Sequence, residues 1–373
     1  MLDKEQQREE DERFMREALR IARNAEGRTS PNPLVGAVIV RDGTIIAEGW
    51  HRAAGTPHAE VHALSMAGDL ARGATLYVTL EPCAHVGRTG PCAVAVRDAG
   101  IQRVVAAMGD PNPKVAGKGF RILQEAGIDV TVGICEAEAR NLNEVFLHWI
   151  ETGRPFVTMK FAMTLDGKIA TKTGDSQWIS GASSRHFVHE LRDRNDAILC
   201  GIGTVLADDP SLTTRLPDRK GKNPVRVIVD SQARTPLTSH VVTDGCARTL
   251  LAVTEAASKE RVQQLETAGV EVLRCGAGSK VDLTYLMEGL GRRDITSVLV
   301  EGGGTVNFSL LEAGLVQKVM AFVGPKLVGG WEAKTPVEGD GFARLADAVN
   351  LGRLTAETIG DDVVLTGYVQ EKP

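Results

Sequence analysis

The side chains best equipped for chemistry in this 373-residue chain are one imidazole, two thiols and one carboxylate. His58 and Glu60 stand in Pro57-His58-Ala59-Glu60, Cys83 follows Glu81-Pro82, and Cys92 follows Pro91. Imidazole nitrogen and thiolate sulfur are donors that zinc prefers, and a catalytic zinc keeps its fourth position for water. Glu60, two residues beyond His58, would stand beside such a metal without being obliged to ligate it. A carboxylate there takes a proton from water and hands it to a leaving amine. Three elements must converge to assemble this set. A helix is expected from His58 to about residue 70, with Thr56 as N-cap and Pro57 at the first helical position. A strand over 75–79 leads towards Cys83, and a helix near 91–99 begins around Cys92. Helix N-termini favour thiolate, because their unpaired N–H groups carry partial positive charge.

Plainer readings compete. A lone cysteine is usually a small buried apolar residue, and a structural zinc would take a fourth protein ligand, for which His85 and His62 are candidates. His58-Ala59-Glu60-Val61-His62 also approaches the zinc-protease helix. That motif needs Glu directly after the first His; here it comes one residue late, so the protease reading is rejected.

Around these residues the chain reads as alternating helices and strands. Phe14, Ala18, Leu19, Ile21 and Ala22 recur at helical spacing over 11–24, behind a polar leader expected to fray. Strands 34–40 and 45–50 flank Asp42-Gly43, a strong hairpin signal. Strands at 104–107 and 129–132 alternate with helices near 119–126 and 136–150. Glu151-Thr152-Gly153-Arg154-Pro155 then breaks the pattern, which places a domain boundary at about 153. A second series has strand-like runs at 157–163, 197–200, 225–230, 249–253, 270–273, 298–300 and 319–323, and a final pair at 354–359 and 363–369. Such alternation implies α/β sheets covered on their faces.

The second half carries two strand–glycine–helix junctions, Cys200-Gly201-Ile202-Gly203-Thr204 and Val300-Glu301-Gly302-Gly303-Gly304-Thr305. Glycines let backbone approach a phosphate, and a helix N-terminus supplies donors. Neither is Gly-x-Gly-x-x-Gly, so a Rossmann fingerprint is absent, and the plain alternative is a tight turn. Arg192, on an expected helix over 183–194, and Arg215 are candidate phosphate clamps, since guanidinium offers two parallel donors. Cys200, Cys246 and Cys275 lack nearby histidines and are expected in the core.

Composition narrows the function classes. Six cysteines in so long a chain are no disulfide framework and suit a reducing compartment. The charged start offers no signal peptide, and no apolar run approaches the ~18–20 residues of a membrane span. A cytoplasmic protein without a membrane partner is expected. Residues 1–153 hold 17 basic against 21 acidic side chains, and residues 154–373 hold 26 against 27. Neither half is a basic arm, and with 4% aromatics a base-stacking platform is not expected. Both features speak against a zinc-stabilised nucleic-acid-binding protein.

Residues 30–110, including Asn32-Pro33-Leu34-Val35-Gly36, resemble the cytidine-deaminase-like superfamily, whose signature is His-x-Glu with two cysteines. The usual two-residue separation of the cysteines is eight here. Val78-Thr79-Leu80-Glu81-Pro82-Cys83-Ala84-His85-Val86-Gly87-Arg88-Thr89-Gly90-Pro91-Cys92 resembles one branch with that longer spacing, the bifunctional deaminase–reductases of riboflavin biosynthesis. Asp110-Pro111-Asn112-Pro113-Lys114-Val115-Ala116-Gly117 is similar to the same family. So are Met159-Lys160-Phe161-Ala162-Met163-Thr164-Leu165-Asp166-Gly167-Lys168-Ile169-Ala170, Ser176-Gln177-Trp178-Ile179-Ser180 and Gly203-Thr204-Val205-Leu206-Ala207-Asp208-Asp209-Pro210. The resemblance runs from about residue 11 to the end.

It implies a three-layer cytidine-deaminase-like domain over 1–153 and a dihydrofolate-reductase-like α/β domain over 154–373. The first would hydrolyse the 2-amino group of 2,5-diamino-6-ribosylamino-4(3H)-pyrimidinone 5′-phosphate. His58, Cys83 and Cys92 would hold one zinc, Glu60 would move protons, and Asn32 and His51 would contact the pyrimidine. The second would use NADPH to reduce the ribosyl side chain to ribityl. Its cofactor would meet Ala162, Trp178, Thr204, Asp208, Ser231 and the run Gly303, Gly304, Thr305, Val306, Asn307, Phe308 and Ser309. Its substrate would meet Ser176, Arg192, Leu212, Arg215 and Glu301, with Lys160 or Asp208 helping to polarise or protonate the reacting centre. The family resemblance also implies a homo-oligomer. A deaminase with a degenerate second half is disfavoured, since the reductase motifs look intact.

Overall fold

The structure is a computed structural model that describes residues 3–84, 90–112 and 116–370. The chain divides into two compact units, Met1–Gly153 and Arg154–Pro373. The first contains, in order, α1 (Lys4–Ala22), β1 (Gly36–Arg41), β2 (Thr44–Trp50), α2 (Ala59–Ala67), β3 (Thr75–Val78), α3 (Cys92–Asp98), β4 (Arg103–Ala106), α4 (Lys118–Glu125), β5 (Asp129–Val132), α5 (Glu136–Leu142) and α6 (Glu144–Thr152).

Its five strands run β2-β1-β3-β4-β5, with β1 antiparallel to both neighbours and β3, β4 and β5 parallel. Strand alternation splits the apolar side chains between two faces. Ala37, Ile39, Leu76, Val78, Val104 and Ala106 pack with Ala59 and Ala63 of α2, Ala93 and Val96 of α3 and Leu123 of α4. Val38, Val40, Tyr77 and Val105 pack with Phe14, Met15, Ala18 and Leu19 of α1, Ala139 of α5 and Leu147 of α6. The unit is therefore three-layered. The Asp42-Gly43 hairpin closes with Arg41 opposite Thr44, both turn residues at positive φ.

Three local expectations are corrected. The polar leader is helical from Lys4, because Asp3 and Gln6 form a reciprocal capping box. The helix after Pro57 starts at Ala59, with His58 itself in the N-cap position. The helix expected over 136–150 breaks at Asn143, whose side chain bonds both backbone groups of Leu34: its Oδ1 accepts from the Leu34 N–H (2.8 Å) and its Nδ2 donates to the Leu34 carbonyl (2.9 Å).

The second unit contains β6 (Phe156–Thr164), α7 (Ala182–Arg194), β7 (Ala197–Gly201), α8 (Ile202–Asp208), β8 (Val225–Val229), α9 (His240–Thr243), β9 (Thr249–Val253), α10 (Lys259–Thr267), β10 (Glu271–Arg274), α11 (Leu283–Gly291), β11 (Ser297–Val300), α12 (Gly304–Glu312), β12 (Lys318–Gly324), β13 (Leu351–Ile359) and β14 (Asp362–Val369). The strand order is β10-β9-β8-β7-β11-β6-β12-β14-β13. Pairing is parallel from β10 to β12, and β14 and β13 add antiparallel. Helices cover both faces: Leu286, Met287 and Leu290 of α11 with Leu310 of α12 on one, and Val205 of α8, Val241 of α9 and Val262 and Leu265 of α10 on the other. Cys200 and Cys275 are buried, but Cys246 is exposed, a correction: its N–H donates to Asp244 Oδ1 in a surface turn after α9. All six cysteines are free thiols.

Candidate active sites

In the first unit, three elements deliver the donors. His58 caps α2, Cys83 lies beyond the end of β3, and Cys92 begins α3. His58 Nδ1 lies 3.6 Å from Cys83 Sγ and 3.2 Å from Cys92 Sγ, and the three ligand atoms lie within 4.8 Å of one another. The Cys92 backbone N–H donates to Cys83 Sγ at 3.3 Å. Cys92 donating to Cys83 and the imidazole beside it hold the Cys83 thiol down at about 4, while the same neighbour and burial push Cys92 up. Two sulfurs this close favour one thiolate over two, and a bound cation would favour ionising both. One imidazole and two sulfurs at these separations fit zinc. Among the described residues no fourth ligand joins the group; His62 stays outside it, its Nε2 buried without a partner, and His85 lies outside the described residues.

Glu60 is 3% exposed in the first turn of α2. Burial pushes its carboxyl up to about 7. Poised near neutrality beside the metal donors, it is suited to accept and return a proton. A cavity of about 370 Å³ opens over His58, Glu60 and Cys83, and Asn32 and His51 line it. His51 Nδ1 lies 3.2 Å from the Pro57 carbonyl, and Asn32 Nδ2 lies 3.1 Å from His51 Nε2. This pattern assigns the His51 proton to Nδ1 and leaves Nε2 to accept from Asn32. Burial lowers the His51 pKa, which keeps the ring neutral. The same cavity is lined by residues outside the expected site set: Glu81, Asp110, Asn112, Phe146, Trp149 and Ile150. Glu81 and Asp110 stand within recognisable motifs, but nothing local marks Trp149.

In the second unit, a cleft of about 520 Å³ lies across the C-terminal ends of β7, β8 and β11. Thr204, Asp208, Ser231, Gly303, Gly304, Thr305, Val306 and Ser309 line it, as does Ser176. Gly302 and Gly303 have φ of 112° and 38°, and α12 begins at Gly304. A Cβ on Gly304 would lie 2.8 Å from the Thr335 carbonyl oxygen, so only glycine fits there. A glycine-bounded cleft opening onto a helix N-terminus fits a dinucleotide phosphate. Asn307 and Phe308 turn away from it: Asn307 Nδ2 donates to the Pro336 carbonyl, and Phe308 packs on Phe342. Trp178 is exposed under Arg185, and Ala162 packs beside Phe322. Leu212 sits in the core at positive φ. Arg234, Lys280 and Lys334 also line the cleft, and no sequence motif marks them.

Beside the cleft, Arg192 grips Glu301 through two bonds, Nε to Oε1 at 2.6 Å and Nη2 to Oε2 at 2.8 Å, and its Nη1 donates to the Thr213 carbonyl. Burial alone would raise Glu301, but Arg192, with Lys160 adding to it, holds that carboxyl down at about 2. Burial lowers Lys160. Arg215 donates from Nη1 to Thr213 Oγ1, and its backbone N–H donates to His189 Nδ1 at 3.2 Å. Burial, together with Arg192 and Arg215, pulls His189 down to about 4. Arg192, Glu301, Arg215, His189 and Lys160 thus form one electrostatic cluster.

Two family models match the chain: the RibD C-terminal domain over residues 155–365, and the cytidine and deoxycytidylate deaminase zinc-binding region over residues 8–108. The riboflavin biosynthesis protein RibD of Actinobacillus pleuropneumoniae is 46% identical over 361 residues, covering 96% of this chain and 95% of that one. The chain belongs to the RibD family. The Escherichia coli RibD is 43% identical, covering 95% of this chain and 98% of that one. The solved Acinetobacter baumannii RibD superposes with a TM-score of 0.88 at 38% identity, covering 98% of this chain and 100% of that one. A Thermotoga maritima structure, described as a diaminohydroxyphosphoribosylaminopyrimidine deaminase/5-amino-6-(5-phosphoribosylamino)uracil reductase, superposes at 0.85 and 37%, with the same coverage. As a RibD, the chain is a bifunctional enzyme of riboflavin biosynthesis, a deaminase and a reductase. Its fold is a cytidine-deaminase-like unit followed by a dihydrofolate-reductase-like unit, with a zinc-binding region in the first.

Proposed function

We propose that residues 1–153 deaminate 2,5-diamino-6-ribosylamino-4(3H)-pyrimidinone 5′-phosphate and that residues 154–373 reduce the product's ribosyl group with NADPH, giving 5-amino-6-ribitylamino-uracil 5′-phosphate. The observation that carries this reading is the convergence of His58, Cys83 and Cys92 around the buried Glu60 at one cavity.

Zinc held by those three residues supplies a Lewis acid that makes water nucleophilic near neutral pH. Glu60 carries a proton on its carboxylate oxygens, from the attacking water to the departing amine. Asn32 offers its Oδ1 and second amide hydrogen to the edge of the pyrimidine, and His51, whose ring nitrogens are taken by the Pro57 carbonyl and Asn32, holds Asn32 in place against the ring.

NADPH supplies hydride. The backbone N–H groups at the start of α12 would hold its phosphates, with Thr204, Asp208, Ser231 and Ser309 lining the same cleft. Ala162 and Trp178 would also contact the cofactor, and Asn307 and Phe308 would serve through backbone. Across the sheet from the glycine loop, Ser231, Arg234 and Lys280 share one wall: the Val281 N–H donates to Ser231 Oγ at 3.2 Å, and Arg234 lies 3.7 Å from the buried Asp230. That basic wall suits the extra phosphate of NADPH over NADH. Arg192, Arg215, Ser176 and the Leu212 backbone receive the phosphorylated substrate, with Glu301 holding Arg192 in place. Lys160, facing Glu301, is the proton donor to the reduced centre.

The chain works as a homo-oligomer in the cytoplasm. Trp331 and Leu345, 91% and 93% exposed, and Leu354 on the edge strand β13 are large apolar side chains left in water, which supports burial by a second copy. A monomer by light scattering would remove that part. The decisive assay supplies the diaminopyrimidinone phosphate to purified protein and withholds NADPH until ammonia has appeared. Ammonia without NADPH, then NADPH oxidation, is expected; absorbance loss with no prior ammonia overturns the order.

A further inference from the structure

Glu81 is 4% exposed, a carboxylate withdrawn from water at the edge of the substrate cavity. Its carboxylate is occupied by backbone. Oε1 accepts from the Gly119 N–H at 2.9 Å, and Oε2 accepts from the N–H groups of Gly117 (3.0 Å) and Asp110 (3.2 Å). The glutamate is itself held in register, because its N–H donates to the Met108 carbonyl at 3.0 Å.

The partners lie at both ends of one connection, from the residues after β4 to the first turn of α4. At the far end Gly117 has φ +73° and Gly119 presses against the Pro82 carbonyl, where a Cβ would meet the oxygen at 1.9 Å. A negative carboxylate at the start of α4 also meets the positive end of that helix. At the near end Asp110 continues into a turn, its Oδ1 accepting from the Asn112 N–H at 2.9 Å. Asp110 and Asn112 line the same cavity as His51, His58 and Glu60.

We propose that Glu81 is a positioning residue of the deaminase: its carboxylate ties both ends of the 109–119 connection so that Asp110 and Asn112 form a fixed wall of the substrate cavity. The inference rests on the deaminase reading of that cavity. Only a carboxylate serves, because it offers acceptors on both oxygens and no donor. A glutamine of the same shape must turn an NH2 group towards at least one backbone N–H, setting two donors against each other. His58 and Glu60 are held by α2 and Cys92 by α3, while Cys83 is held from α3, whose Cys92 N–H donates to its Sγ and Ala93 N–H to its carbonyl, so the metal donors keep their places. Substrate capture is what loses.

The test is Glu81→Gln in the full chain. Deaminase KM should rise at least ten-fold while kcat falls less than three-fold. Zinc should stay at one per chain, and reduction of the deaminated substrate should keep its rate. Hydrogen exchange should quicken at least ten-fold in peptides carrying the Gly117 and Gly119 amides and stay unchanged in those covering β3 and β4. Asp110→Ala should raise KM without altering exchange at Gly119, and it keeps the idea testable should Glu81→Gln fold poorly. Unchanged KM with unchanged exchange, a loss confined to kcat, or loss of zinc overturns the proposal. So does wild-type KM in Asp110→Ala. A wild-type chain that releases no ammonia defeats the deaminase reading itself, a separable result.

Discussion

Arg192 and Glu301 form a nearly buried ion pair, 12% and 9% exposed, joined by two parallel bonds between α7 and the end of β11. Breaking such a pair leaves an uncompensated charge, which costs about 3–5 kcal/mol. Arg192→Ala should therefore lower the stability of residues 154–373 by roughly that amount and abolish reduction. The double replacement Arg192→Met with Glu301→Gln should recover much of the stability and none of the turnover. Urea unfolding and NADPH oxidation measure the two. Wild-type stability in Arg192→Ala would show that the pair does not matter to the fold.

Glu60 and Cys92 touch the same centre but should fail differently. Glu60→Gln keeps the three donors, so zinc should remain stoichiometric while ammonia release falls about 10²–10⁴-fold, the range for lost general acid–base catalysis. Cys92→Ser removes a donor and should lower metal content as well as activity. Metal analysis beside an ammonia assay separates them, and near-wild-type deamination in Glu60→Gln would falsify the proton role.

Arg234 and Lys280 should distinguish the two nicotinamide cofactors. Replacing both with alanine removes charge where the extra phosphate is expected, so binding of 2′,5′-ADP and the KM for NADPH should weaken about 10–100-fold, the scale of one or two charge-assisted bonds. Binding of 5′-AMP and the NADH reaction should change little. Calorimetry with the two nucleotides decides it; equal weakening of both sinks the assignment.

His189 gives the reductase unit a pH-dependent stability. Burial and the arginines Arg192 and Arg215 hold its pKa at about 4, below the ordinary 6.5. Between those values the unfolded chain binds the proton and the folded one does not, so stability rises with pH across this window. The contribution is full above 6.5 and lost as pH falls to 4. His189→Gln should flatten the dependence of the urea midpoint between pH 6.5 and 4. The same slope in both proteins rules His189 out as its source.

Much of the deaminase centre was legible because its chemistry resides in residue types that are rarely interchangeable. His58, Glu60, Cys83 and Cys92 announce a metal and a proton carrier by identity and order, and the structure brings the three donors to one point with Glu60 on the cavity beside them. The Asp42-Gly43 hairpin was equally plain, since a two-residue turn needs residues that tolerate positive φ. The break at Asn143 was not, because the agent is the distant Leu34 backbone. Arg192 was legible as a candidate phosphate clamp, but not the Glu301 carboxylate and Thr213 carbonyl that fix its guanidinium, because those partners are far from it in the chain. Glu81 stands beside Pro82 and Cys83 in a legible motif, but its partners lie beyond the next helix and strand.

The sequence by itself determined the donor atoms, the two α/β series and the family, since these depend on side-chain chemistry and on short-range periodicity. Tertiary structure decided which charges neutralise one another, which polar groups lose water, and which side chains reach a common cavity. Those are properties of burial and distance, set only when strands far apart in the chain become neighbours in a sheet.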